Sequence, residues 1–138
     1  MVEESKKYFT PHEVEALIPE LTEIVGRLMD THGELGEVRA ALRQEQHRIM
    51  LAGGGILDQE IWRERTRRLE ELTRQVQQGI GAILKLGGVP KDLGMGLVDF
   101  PYLVNDQEVN LCWRFGETTI EFWHGLDEGY TGRKPLEP

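Results

Sequence analysis

The chain has 138 residues, a formal net charge of −8 and a single cysteine, Cys112. This length predicts one domain spanning residues 1–138, and the negative charge argues against a protein that coats nucleic acid, because phosphate contacts need a basic surface. One Cys, without a group of four closely spaced Cys or His residues, excludes an internal disulfide and a closed zinc site, which predicts a reducing compartment.

The N-terminus and the hydropathy of the chain predict its location. The first nine residues are charged and are not followed by an apolar run, so they do not form a signal peptide. No segment approaches the ~20 consecutive apolar residues that a membrane-spanning helix needs. We therefore expect a cytoplasmic protein that does not insert into a membrane.

The first predicted helix has a clear start. Thr10 is suited to the N-cap, Pro11 to the first helical position, and Glu13 to the third position, from which its side chain reaches back to the cap amide. Phe9 and Val14 can pack together as a hydrophobic staple across this cap. These residues predict a helix that begins at about residue 10.

An apolar stripe with a seven-residue period follows this cap. It consists of Val14, Leu21, Leu28, Leu35, Leu42 and Ile49. A stripe of this kind is typical of a helix that packs along its length against another helix. Pro19 lacks a backbone donor, so we expect a kink or break near Ile18.

A second helix is predicted after a glycine-rich turn. Residues 52–55, with the sequence Ala-Gly-Gly-Gly, end the first helix, and Asp58 can cap the second. The second stripe consists of Trp62, Leu69, Val76 and Ile83, and residues 87–90 end it. Two long helices joined by a short loop must run antiparallel, which predicts a coiled-coil-like helical hairpin over about residues 10–87.

The apolar period changes to two after Pro90, which indicates strands. Strands are predicted over residues 97–104, 108–115 and 118–124, with turns at 105–107 and 116–117. The fold class is therefore α+β: the helical hairpin, a three-stranded antiparallel β-meander over about residues 96–125, and an irregular tail over residues 126–138.

Two-residue turns at Asn105-Asp106 and at Gly116-Glu117 would fix the faces of the meander. The core face then carries the aromatic residues Phe100, Tyr102, Trp113, Phe115 and Phe122. The opposite face gathers Asp99, Cys112, Arg114, Glu121 and Trp123, and Cys112 has no predicted His neighbour. With Arg114 diagonal to Asp99 and Glu121, this face predicts either an anion pocket or acid/base pair, or an ion network on a solvated sheet.

A second candidate site follows the third strand. His124 ends that strand at the rim of the core face, and Asp127 and Glu128 follow it in a glycine-rich loop. These three residues predict a divalent metal site, whereas the loop glycines with Arg133 predict an anion cradle. The alternative is a hydrogen-bonded His with a structural role.

The arginines of the hairpin tip favour a solvated helix surface, and nucleic-acid binding by this tip is a weaker alternative. Residues 39–74 hold eight Arg and six acidic residues, at helical spacings that favour ion pairs within the protein. The sequence also lacks a phosphate-binding loop and a nucleophile with a plausible relay, so an enzyme is not favoured.

The sequence favours a non-enzymatic interaction or scaffold protein that self-associates through the hairpin. A second hairpin would bury the remainder of each stripe in a four-helix bundle, which predicts a homodimer or homotetramer. The alternative is a metal- or anion-binding, possibly hydrolytic, domain with its site on the meander around Arg114 and His124.

Several motifs carry a family resemblance: YFTPHEV at 8–14, LVDFP at 97–101, LCWRFGE at 111–117, FWHGLDEGY at 122–130 and GRKP at 132–135. With them the chain resembles the uncharacterised prokaryotic family catalogued as domain of unknown function 2203. The resemblance implies no activity. It implies that a role shared by the family would rest on Asp99, Pro101, Trp113, Arg114, Gly116, Glu117, Trp123, His124, Gly129, Gly132 and Arg133.

Overall fold

The computed structural model describes residues 7–53 and 58–137 as two helices followed by one antiparallel sheet. The helices are Pro11–Leu51 (α1) and Gln59–Leu86 (α2). The strands are Val89–Asp92 (β1), Leu97–Val104 (β2), Gln107–Arg114 (β3), Phe122–His124 (β4) and Lys134–Pro135 (β5), with a 3-10 turn at Tyr130–Gly132. Neighbouring strands pair in chain order, β1-β2-β3-β4-β5. The predicted α+β class is confirmed, but the sheet has five strands instead of three.

The N-terminus of α1 forms the predicted capping box. The Glu13 amide donates to Thr10 Oγ1, and the Thr10 amide donates to Glu13 Oε1, each at 3.1 Å. The helix then runs without interruption through Pro19, so the predicted break near Ile18 is wrong, while a kink there remains a prediction. Proline removes only one hydrogen bond, and burial of Ile18 and Leu21 on either side holds the helix together.

The two helices form an antiparallel pair. Leu28 on α1 lies against Gly79 on α2, and Glu34 on α1 pairs with Arg68 on α2. Residue numbers therefore increase along α1 where they decrease along α2. The helix α2 begins at Asp58, whose carboxylate accepts from two amides of its first turn, as predicted. The helix α1 ends at Leu51, but Gly54 and Gly55 of the predicted turn lie outside the described residues.

The hydrophobic core lies where the helices meet one face of the sheet. On α1 the core includes the first four residues of the apolar stripe, Val14, Leu21, Leu28 and Leu35. On the sheet it includes Val98, Phe100, Leu111 and Trp113. The Asn105-Asp106 turn has positive φ at both residues, and it sets the predicted pairing of β2 with β3. In the described ranges, no helix carries a stretch long and apolar enough to cross a bilayer.

The pairing of β3 with β4 differs by one residue from the predicted register. Leu111 pairs with Trp123 rather than with Phe122, and Asn110 pairs with His124. A one-residue shift moves every side chain of a strand to the other face. Trp123 therefore packs against the core, and the predicted positions of Phe122 on the core face and His124 at its rim are wrong.

This shift arises in the connection between β3 and β4. The chain turns at Gly116, where φ is 101°, and the Glu117 amide donates to the Arg114 carbonyl. The Glu117 carboxylate also accepts from the Arg114 amide at 2.6 Å, which ends the ladder there. The chain rejoins the sheet only at Phe122, so the predicted strand over residues 118–124 is shortened to three residues.

The two strands that were not predicted lie at the sheet edges. Strand β1 pairs with β2 through Val89 and Asp99, and β5 pairs with β4 through Phe122 and Pro135. The tail is therefore not irregular throughout, because residues 130–135 form the 3-10 turn and β5. This segment lies beside the sheet face that points away from the helices, as its contacts with Phe122 and Cys112 show.

Candidate metal centre

Three adjacent strands bring three possible metal ligands together on the sheet face opposite the helices. Asp99 of β2 pairs with Cys112 of β3, and His124 of β4 pairs with Asn110, two residues before Cys112. The side chains of Asp99, Cys112 and His124 are all buried, with residue exposures of 2%, 1% and 3%. One carboxylate oxygen, the thiol sulfur and one imidazole nitrogen all lie within 4.8 Å of one another.

The hydrogen bond of His124 fixes which ring nitrogen carries a proton. Its Nδ1 lies 2.8 Å from the carbonyl oxygen of Gly125, which can only accept, so Nδ1 is the donor. In neutral imidazole, Nε2 then presents a lone pair, and this atom lies 3.0 Å from Oδ2 of Asp99. Two acceptors at this distance repel each other unless a proton, carried by the ring or by the carboxyl group, or a metal ion lies between them.

The Asp99 carboxylate is short of donors. Within the described ranges, neither of its oxygens has a hydrogen-bond partner in suitable geometry, even though His124 Nε2 is close to one of them. Buried carboxylates are normally satisfied by donors or by coordination to a metal ion, and an unpaired one is costly. The Asp99 carboxylate can therefore accept a further donor or coordinate a cation.

Cys112 is a protonated thiol in the metal-free chain. Burial, together with the nearby negative charge of Asp99, raises the pKa of Cys112 to about 12. A thiol with this pKa is a poor nucleophile at neutral pH, which argues against a cysteine-dependent hydrolase. Coordination to a metal ion would reverse this, because a bound thiol is deprotonated.

Arg133 attaches the tail to the β3 strand that carries Cys112. Its Nη2 donates to Oε2 of Glu117 at 2.7 Å, and it lies 3.4 Å from the Cys112 carbonyl oxygen. The guanidinium carbon lies 4.0 Å from the ring centre of Phe122 and 4.8 Å from that of Tyr130. Arg133, predicted to bind an anion, therefore has a carboxylate partner already and holds the tail against β3.

The predicted ligand group around Arg114 is not assembled. Arg114 is exposed and donates to the hydroxyl of Tyr130 at 2.9 Å, and no ion pair in the described part of the chain joins it to Asp99 or Glu121. Glu121 is exposed, and Trp123 lies on the core face for the reason given above. Ligand binding by these residues remains a prediction.

The predicted metal ligands are only partly brought together. Glu128 Oε1 accepts from the Gly125 amide at 2.9 Å and from Lys134, and these two partners, Lys134 first, lower the pKa of Glu128. Asp127 is exposed to solvent. Of the three predicted ligands, His124 alone belongs to the buried group, and coordination by Asp127 or Glu128 remains a prediction.

A cavity opens beside the three buried donors. It has a volume of about 110 Å³, and its walls include Lys91, Asn110, Glu128 and Tyr130 in addition to the donors themselves. This space gives a metal ion at the site a route to solvent and to a small molecule. The arrangement resembles an open metal site more than a closed structural one, since open sites keep a free coordination position.

The chain matches the model of a protein family over most of its length. The family model described as an uncharacterised conserved protein, DUF2203, matches residues 7–136. The chain belongs to the DUF2203 family. This confirms the resemblance seen in the sequence motifs, and the family description names no activity. No curated protein and no solved structure matches the chain.

The sequence segments that carry the resemblance to the family contain all three buried residues. Asp99, Cys112 and His124 lie in the segments LVDFP, LCWRFGE and FWHGLDEGY, respectively. Sequence reasoning placed Asp99 with Cys112 but missed His124 as their neighbour. A possible signal was the order of residues in Phe-Trp-His, because placing Trp123 in the core puts His124 on the polar face.

Proposed function

We propose that this DUF2203 chain is a metal-binding domain in which Asp99, Cys112 and His124 hold one divalent transition-metal ion. The observation that carries the proposal is the buried carboxylate of Asp99, which faces an imidazole nitrogen and lacks a hydrogen-bond donor in the described ranges. Oxygen, sulfur and nitrogen ligands together suit Zn²⁺, which binds all three in tetrahedral sites.

The distances are compatible with coordination after small side-chain movements. With bonds of about 2.0 to 2.3 Å, ligand atoms around tetrahedral zinc lie about 3.3 to 3.6 Å apart. The separation of 3.0 Å between His124 Nε2 and Asp99 Oδ2 is slightly shorter than this range, and 4.8 Å is the upper limit for the group. The hydrogen bond from His124 Nδ1 to the Gly125 carbonyl oxygen fixes the orientation of the ring. Zinc-bound histidines usually donate their second ring N–H to such an acceptor.

The charges also support a divalent cation. A doubly charged ion would balance the Asp99 carboxylate and a Cys112 thiolate, so that no unpaired charge stays buried. The reducing compartment expected from the single cysteine would keep this thiol available for a metal ion. This proposal keeps the sequence-based prediction of a divalent metal ion. His124 is the residue that the predicted and the proposed ligand sets have in common.

A cobalt titration tests this function. Co²⁺ commonly replaces Zn²⁺ in such sites, and a cysteine thiolate bound to it gives a charge-transfer band in the near ultraviolet. We expect this band in the metal-stripped full chain at one Co²⁺ per chain. It should vanish in Cys112→Ser and persist in Asp127→Asn, a matched control in the exposed loop.

Two results would contradict the proposal. One is the absence of the band in the wild-type chain, and the other is a band of full intensity in Cys112→Ser. Circular dichroism of each metal-free variant establishes that it is folded. Should Cys112→Ser fail to fold, Asp99→Asn, which keeps the side-chain shape, should still weaken Co²⁺ binding by at least tenfold.

A second candidate function is self-association through the hairpin, in keeping with the interaction protein favoured by the sequence. The supporting observation is the loss of burial along the helical stripes. Leu28 and Leu35 are buried, whereas Leu42 and Ile49 are only half-buried. Met50, Leu51 and Ile61 near the hairpin tip are 78%, 75% and 47% exposed. Clustered apolar side chains of this kind mark interaction surfaces.

Sedimentation equilibrium of the full chain tests this second candidate. We expect a dimer or tetramer that becomes monomeric in the double variant Met50→Glu and Ile61→Glu, but not in Leu84→Glu, an exposed apolar residue far from the tip. A wild-type monomer at high micromolar concentration would refute it. Replacing Leu28 and Leu72 would not discriminate, because both are buried within one chain and their loss would unfold it.

A further inference from the structure

We infer that the proposed metal ion keeps one exchangeable position, and that this position binds a small oxyanion or carboxylate held by Lys91 in the adjoining cavity. The inference rests on the proposed metal-binding function. It adds a class of ligand and names a residue outside the metal ligands that selects for it. Its basis is the combination of a three-ligand group, a cavity of limited size and a cationic side chain in the cavity wall.

The number of protein ligands leaves room for an outside ligand. Asp99, Cys112 and His124 would supply three ligands to the ion, and metal sites with three protein ligands hold water or substrate as a fourth. The cavity borders all three donors, Asp99, Cys112 and His124, so that a molecule inside it lies next to the ion. A ligand in the cavity can therefore bind the metal without displacing a protein ligand.

The cavity has room for a small anion beside the proposed metal ion. Its volume of about 110 Å³ is several times the roughly 30 Å³ that one water molecule occupies in the liquid. This space suits an acetate, bicarbonate or phosphate ion. The proposed ligand is therefore a small oxyanion or carboxylate group.

The polar groups in the cavity wall favour an anion over a neutral ligand. Lys91 of β1 forms no ion pair with any described residue, so its ammonium group is free to balance a bound charge. Asn110 pairs with His124 across the strands, and its side-chain amide can donate to the same ligand. The Tyr130 hydroxyl accepts from Arg114 and still has its own proton to donate.

The two carboxylates in the wall do not cancel this preference. Asp99 would be neutralised by the metal ion itself. Glu128 is paired with Lys134 and accepts from the Gly125 amide. Lys91 therefore supplies the uncompensated charge at the cavity, and a cation paired with a metal ion is a common means of holding an oxyanion.

The test uses the Co²⁺-loaded full chain. The visible bands of bound Co²⁺ report its coordination, and we expect acetate, bicarbonate or phosphate to shift them with a saturable dependence on concentration. Acetamide, which is neutral, should have no effect. In Lys91→Gln the anion affinity should fall about fivefold, equivalent to about 1 kcal/mol for a partly exposed ion pair, while Co²⁺ affinity stays unchanged.

Two control variants make the result specific. Lys85→Gln removes an exposed lysine on α2 that does not line the cavity, and it should keep wild-type anion affinity. Lys91→Arg keeps the charge and should restore most of the affinity. A wild-type response to acetamide as strong as that to acetate, or equal affinity in Lys91→Gln and wild type, would overturn the inference.

The failure of this inference is distinguishable from failure of the proposed function. A chain that shows the thiolate charge-transfer band but whose visible bands ignore all small anions has a metal site without an anion position. This result would overturn the inference and leave the metal-binding function standing. A chain without the charge-transfer band would overturn both.

Discussion

Oδ2 of Asp99 and Nε2 of His124 lie 3.0 Å apart although they belong to β2 and β4, which are separated by β3. The intervening strand contributes Cys112 between them on the same face. Because the Gly125 carbonyl accepts from Nδ1 of His124, the facing nitrogen is the one with a free lone pair in neutral imidazole. The strand order and one loop carbonyl thus create a buried place for a cation.

The metal-free protein should keep an unusually inert thiol. Since burial raises the pKa of Cys112 to about 12, its thiolate fraction should stay small between pH 8 and 10, where an ordinary thiol, with a pKa of about 8.5, ionises. We expect slow alkylation of the native chain across this range and rapid alkylation after unfolding in guanidinium chloride. Equal rates for the native and unfolded chains at pH 8 would contradict the structure.

Replacement of Asp99 by Asn should separate stability from metal binding. The substitution removes a buried charge that lacks a donor, so the metal-free Asp99→Asn chain should be more stable than metal-free wild type by about 1 to 2 kcal/mol at pH 8. Zn²⁺ should raise the melting temperature of wild type and leave that of the variant nearly unchanged. Urea unfolding with and without Zn²⁺ measures both effects, and a strongly destabilised metal-free variant would argue against an unsatisfied carboxylate.

The capping box of α1 should contribute measurably to folding. Thr10→Ala removes the acceptor for the Glu13 amide, which should lower the free energy of unfolding by about 1 kcal/mol. Thr10→Ser keeps the hydroxyl and serves as the matched control. Urea denaturation followed by circular dichroism measures the difference, and equal stability of the Ala and Ser variants would show that the cap contributes nothing.

Two glycines with positive φ should respond differently to alanine. Gly53 has φ of 68°, and no atom of the described residues lies within 4 Å of where a Cβ would be, whereas a Cβ at Gly87, with φ of 99°, would overlap Cζ of Phe9. Gly53→Ala should cost about 1 kcal/mol from backbone strain alone, and Gly87→Ala about 2 to 4 kcal/mol because Phe9 must also move. Thermal unfolding of the pair checks the order, and a smaller loss at Gly87 would place Phe9 elsewhere.

Local features of the sequence predicted those parts of the fold that depend on residues close together in the chain. The start of α1 depends on residues within one turn of Thr10, and the pairing of β2 with β3 depends on the Asn105-Asp106 turn. These interactions are close in the chain, so residue types and spacing are sufficient to recognise them. The continuous helix through Pro19 was missed because packing of its neighbours outweighs one lost hydrogen bond.

The candidate site depends on contacts that are distant in the chain, and it was predicted only in part. The position of β4 depends on Glu117, which binds the Arg114 amide on one side and Arg133 on the other. Nothing in the alternation of residues near Gly116 reveals a pairing with a residue in the tail. A strand of two residues that includes Pro135 also lacks the length and composition by which strands are recognised.

The most direct measurement of the central claim is native mass spectrometry of the untagged chain after incubation with one equivalent of Zn²⁺, with elemental analysis of the same sample. We predict one Zn²⁺ per chain in the wild type and in Asp127→Asn, and none in His124→Gln, with circular dichroism establishing that each chain is folded. A wild-type chain without zinc, or one whose zinc is lost in Asp127→Asn but kept in His124→Gln, would contradict a site formed by Asp99, Cys112 and His124.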